Sequence, residues 1–312
     1  MVQIDCMKNK TNRQAPTLAV LALLCFPLVS LAQENNTNTV FGRKYTPGEV
    51  YRYRLTTWSW LNGNLTSQAV SVCELKVIND NGIPYDEVHW ISKTDIHIDT
   101  INHTKSAREV KPYRISLHPQ GKLDIPKIEV ARMTGEITDF NTFFVAISPL
   151  MGVGSLKKTG DHFEKKEMTK GNFANGKDII KGDDCLQVSI DWMSETAAEA
   201  IIRTSFLPPA QPCLDYLLPE FSTPVVADTI NNFQMLKPSG KDDGTFGVLY
   251  GKENFIITTT VQKKDGKIRQ AVMENMLTLK GKLQCDESLK HCGITVPAAM
   301  IIQRRLELEL IN

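Results

Sequence analysis

The chain has 312 residues, with 36 basic and 35 acidic side chains, a formal charge of +1 and 42% hydrophobic residues. That balance provides no field for capturing nucleic acid or anionic lipid, and no run of like charge makes a basic arm or an acidic tail. The apolar content suits a globular protein that buries a substantial core, as one large domain or two smaller ones.

Residues 1–32 read as a secretory signal. Lys8, Lys10 and Arg13 make a basic start, residues 18–31 are an almost uncharged apolar run, and Ser30-Leu31-Ala32 offers a small-residue cleavage site before Gln33. The competing reading is an uncleaved anchor, but the run is short for a membrane span and Pro27 sits inside it. Export to the periplasm or the extracellular space follows from the signal reading. Cleavage leaves 280 residues with 33 basic and 34 acidic side chains. No later stretch is long enough to span a bilayer, since Ser148-Pro149 breaks the apolar segment after Phe140.

Residues 33–44, rich in Asn and Thr, are expected as a flexible N-terminal tail. Residues 45–312 are expected as a β-rich globular region. Residues 50–55 alternate in period two, with Tyr51, Tyr53 and Leu55 against Arg52 and Arg54. Asn62-Gly63 and Asn81-Gly82 are hairpin turn signals on either side of a second strand at 68–78. Strands at 88–91, 95–101, 113–117 and 122–130 continue an antiparallel meander. Residues 136–148 break the pattern, because Phe140, Phe143, Phe144 and Ile147 fall on one helical face and Pro149 ends the segment. Residues 152–183, punctuated by glycine, predict a loop-rich crossover or a boundary between two subdomains. A clear strand follows at 186–192, and residues 194–206 fit helix or strand. The C-terminal third reads as a hairpin, 254–263 and 267–283 about Asp265-Gly266, and a last strand at 305–310 with Leu306, Leu308 and Leu310 inward.

Five cysteines survive cleavage. Cys285 and Cys292 would close a short polar loop between two strands in an oxidising compartment, so they are the expected disulfide. Cys73 shares a strand face with Leu75 and Val77 and reads as a buried hydrophobe. The partners of Cys185 and Cys213 stay open.

The usual chemical signatures are missing. No Gly-x-Ser-x-Gly elbow, His-Glu-x-x-His, Cys-x-x-Cys or phosphate loop occurs. Ser155-x-x-Lys158 and Lys158-Thr-Gly160 overlap on one lysine, so they cannot supply the separate roles that such motifs have in penicillin-binding proteins. Asp95, His97, Asp99 and the nearby His103 could ligate a metal, but a solvated strand face explains them as well. Asp191 beside Trp192 and Glu87 near Trp90 pair acids with aromatics, as carbohydrate sites do. No catalytic residue, cofactor or metal site is assigned.

The fold expected is mainly β: an antiparallel curved sheet or half-barrel with one or two packed helices, α+β being the neighbouring option. The signal, the strand order over 45–130 and the Phe-rich helix resemble in outline the LolA-like lipoprotein carriers, half-barrels of the bacterial envelope. That resemblance implies a noncatalytic exported protein that binds an apolar ligand or a lipidated partner. If the protein carries an apolar ligand, part of the stripe Phe140, Phe143, Phe144 and Ile147 lines its cavity; the other reading is that all four are simply core. Two other readings stand beside the carrier, an assembly component of the envelope and a secreted hydrolase acting on glycans.

Overall fold

The computed structural model describes residues 41–96, 102–123, 127–173, 178–208, 214–216, 232–236, 244–286 and 291–311. The proposed signal, most of the proposed tail and the candidate ligands His97 and Asp99 lie outside those residues. In chain order the elements are β1 (Val50–Leu61), β2 (Asn64–Asp80), β3 (Ile83–Ile96), β4 (His103–Ser106), β5 (Tyr113–Ile115), the helix α1 (Thr134–Ala146), β6 (His162–Phe173), β7 (Asp178–Glu195), β8 (Glu199–Leu207), β9 (Leu214–Tyr216), β10 (Asn232–Leu236), β11 (Phe246–Gln262), β12 (Ile268–Cys285) and β13 (Cys292–Leu310).

The thirteen strands among the described residues belong to one sheet of order β10-β6-β7-β8-β11-β12-β13-β1-β2-β3-β4, with β5 on β3 and β9 on β7. The pairings are antiparallel except for two residues of β10 against β6, and β10 also pairs with β11. The first and last strands, β1 and β13, meet in the middle of the sheet, with Leu55 opposite Leu308.

The hairpins form where local chemistry demands them. Asn62-Gly63 and Asn81-Gly82 all have positive φ, the backbone of the tight turns whose twist matches that of paired strands. Alternation then sorts the faces: Tyr51, Tyr53 and Leu55 are buried while Arg52 and Arg54 are exposed.

Helix α1 lies on the inner face. Ile137, Phe140, Phe143 and Phe144 are at most 3% exposed. Phe140 meets Trp90 and Tyr53 edge-on at 5.6 and 5.9 Å, and Phe144 meets Tyr53 at 5.9 Å. The Thr204 hydroxyl donates to the Ala146 carbonyl at 2.9 Å, which satisfies one of the helix's open C-terminal acceptors. The helix is buried on its polar side too, through Glu136, Asp139 and Asn141.

Three expectations need correction, and one open alternative is resolved. Residues 152–183 are mostly strand, since β6 and the first part of β7 pair across them; glycine lowers strand propensity, but partner strands override it. The ambiguous 194–206 segment resolves into a turn and β8, because β7 and β11 flank it. Residues 121–123 and 127–130 carry no regular structure. At the N-terminal edge, Phe41 and Arg43, expected in the loose tail, are 6% and 9% exposed.

Those two residues begin a strap across one end of the sheet. Phe41 packs edge-on against Trp192 of β7 at 4.5 Å. The Lys44 amide donates to the Asp265 carbonyl at 2.8 Å. Arg43 lies 3.4 Å from Asp86 of β3 and from Glu49, with its guanidinium over the Tyr45 and Tyr51 rings. Gly266 has φ of +70° and a Cβ there would fall 2.5 Å from the Gly42 carbonyl oxygen, so the β11–β12 turn and the strap require each other. Burial raises the Asp86 carboxyl above its usual range, while Arg43 draws it back.

Candidate functional site

Strand register defines successive rungs across the inner face. Leu55, Leu308, Ala271 and Thr259 form one, and Thr57, Leu306, Met273 and Ile257 the next. Leu306, Leu308, Ala271, Met273 and Ile257 are at most 3% exposed and form the floor of the core that includes α1.

The third rung changes character. Ser59, Arg304 and Asn275 lie opposite one another, followed by Phe255 and Phe206, whose rings stack at 4.2 Å. Arg304 grips Asp139 of α1 with two nitrogens, one at 3.2 Å. Asn275 donates to Glu253 at 2.9 Å. Nearby, Lys93 of β3 meets Glu136 at 2.6 Å. Burial pushes the Asp139 carboxyl up, Arg304 opposes that, and the Glu136 and Glu253 charges add to it. Burial works against the charge of Arg304, but Asp139, Glu253 and Glu136 outweigh it and hold the guanidinium protonated.

Past this polar rung the inner face turns apolar again. Leu61, Ile302 and Leu277 make the fourth rung, with Glu253 at its end, and Met300 and Leu279 the fifth, ending on Gly251. Leu61 is 38% exposed, Leu277, Met300 and Ile302 are half-buried, and Leu279 is buried. Beyond α1 the inner face therefore carries two further apolar rungs whose near end is a set of fixed charges.

The residues singled out by sequence fall in different places. Phe140, Phe143, Phe144 and Ile147 come together, each at most 3% exposed. Cys285 and Cys292 are disulfide-bonded with Cα atoms 4.0 Å apart, as direct partners of β12 and β13. Cys73 is buried, and burial raises its thiol pKa well above the usual value. Asp95 lies 3.6 Å from Lys93, and His103 is exposed; among the described residues no group of three such side chains could hold a metal. Adjacent strand residues point to opposite faces, which separates the acid–tryptophan pairs. Trp90 and Trp192 are 2% exposed in the core. Glu87 binds His89 at 2.9 Å, and Asp191 binds His162 at 2.7 Å.

Sequence reasoning missed Arg304, Asp139, Glu253 and Asn275. For Arg304 the signal was present, since it shares parity with Leu306, Leu308 and Leu310. For Asp139, one residue before Phe140 and one turn before Phe143, no residue type marks a buried carboxylate.

No family model matches the chain. No curated protein matches it. Among solved structures, one of lipovitellin that concerns lipid–protein interactions is similar at 12% identity over 86% of this chain, with a TM-score of 0.38. This chain spans 26% of that protein's length. No helix among the described residues is long and apolar enough to cross a membrane.

Proposed function

We propose that this protein is an exported, noncatalytic binder of an elongated apolar ligand, an acyl chain or the lipid of a lipidated partner. The observation that carries the reading is the pair of apolar rungs past α1, Leu61–Ile302–Leu277 and Met300–Leu279. Strands of 17 to 19 residues in β11, β12 and β13 far outrun a helix of 13, so the inner face continues where the helix stops. Half-buried aliphatic side chains beside a fixed polar rung suit a ligand with an apolar body and a small polar end. Arg304 is occupied by Asp139 with Glu253 close by, so the polar end that fits is uncharged. Phe140, Phe143, Phe144 and Ile147 would meet a ligand only if α1 lifted from the sheet, which would expose their rings to water.

The test is extraction with organic solvent of protein purified from its native host, followed by mass spectrometry. A lipid recovered with the wild type and depleted in Ile302→Asp supports the proposal. An extract with no lipid enriched over an unrelated protein prepared alongside rejects it.

A further inference from the structure

The opposite face of the same strands holds a second feature. Here β1, β13 and β12 present Trp58 and Trp60, Arg305 and Gln303, and Glu274 and Met276, in rungs set by Trp58 opposite Arg305 and Trp60 opposite Gln303. Between these rungs lies an open depression of about 410 Å³, lined by Trp60, Gln303, Arg305, Glu274 and Gly63. Arg304 and Asn275 also line it, while their side chains bond Asp139 and Glu253. Trp58 and Trp60 are half-exposed, unlike Trp90 and Trp192 in the core.

We infer that this depression is a binding site for a neutral saccharide. Three observations point there. Trp60 supplies a partly exposed aromatic face, on which the apolar C–H surface of a sugar ring can stack, while Gln303, Arg305 and Glu274 offer planar donors and acceptors beside it. Arg305 lies 2.8 Å from Glu307 and 3.3 Å from Glu274, so its charge is already engaged and the site offers no free cation to select an anionic ligand. The strands are central, β1 being paired with β2 and β13, and β12 with β11 and β13. No backbone edge is free there for a peptide to add as a strand. Gly63, in a turn with φ of +83°, leaves the rim beside Trp60 without a side chain.

The test follows tryptophan emission and chemical shifts of the full chain titrated with maltotetraose, cellotetraose and N-acetylchitotetraose. At least one should perturb the indole resonance of Trp60 at millimolar concentration. Trp60→Ala should weaken that binding by at least about tenfold, and Gln303→Ala should weaken it less. Absence of binding by all three sugars, or binding that survives Trp60→Ala in a folded variant, would overturn the inference.

Discussion

At the scale of the residue, two charged groups make opposite kinds of contribution. His162 is held through both ring nitrogens, by Asp191 at 2.7 Å and Glu164 at 3.0 Å, and these contacts raise its pKa above 6.5. A histidine with a raised folded pKa adds stability that is fully present below its unfolded pKa and is lost as the pH rises through the folded value. The ring is 47% exposed, so the effect is small. NMR titration should find His162 titrating above the ordinary histidine range, and Asp191→Asn should bring it down; an unchanged value in that variant would show that Asp191 is not the cause. Arg304 matters far more, because Asp139 is buried. Arg304→Ala should destabilise the fold by about 3 kcal/mol by stranding that carboxylate, and pairing it with Asp139→Leu should restore part of the loss. Chemical denaturation of the two variants checks both statements, and equal stability of the single and double variants would refute the account of the pair.

At the scale of the element, α1 and the β12–β13 hairpin are the parts most directly tied to sequence. The helix is central to the core, and Phe143→Ala should cost about 3–5 kcal/mol, seen as an earlier midpoint in urea with an unchanged slope. A loss under about 1 kcal/mol would mean that the helix is not packed as described. The Cys285–Cys292 bridge closes a short loop, and replacing both by Ser should remove about 2–3 kcal/mol and lower the melting midpoint by several degrees. Both elements are legible in the sequence because their signals are local: a phenylalanine stripe at helical spacing, a proline stop, and two cysteines across a polar loop. The Asn-Gly turns are legible for the same reason. The β6–β7 hairpin was not, because its glycines and lysines describe a poor strand and only pairing with β8 and β10 makes it one. The polar rung was not legible either. Ser59, Arg304 and Asn275 are far apart in the chain, and no residue type announces that register will align them.

At the scale of the whole molecule, the inner face of the sheet has two regions built from one set of strands. Near α1 the inner face is a buried core; past Arg304 the same strands continue as the two apolar rungs proposed as a ligand trough. The strap over Phe41 and Arg43 ties the β7 side to the β3 side across the far end, so the core is clamped at the end opposite the trough. Arg43→Ala should destabilise the protein by leaving Asp86 buried without its cation, while ligand binding in the trough is retained in the folded fraction. The measurement that bears most directly on the proposed function is a Nile red titration of wild type, Leu277→Asp and Ile302→Asp. Saturable binding by the wild type, lost in the folded fraction of both variants, is the predicted result. No saturable binding by the wild type, or binding that both variants keep, would contradict it.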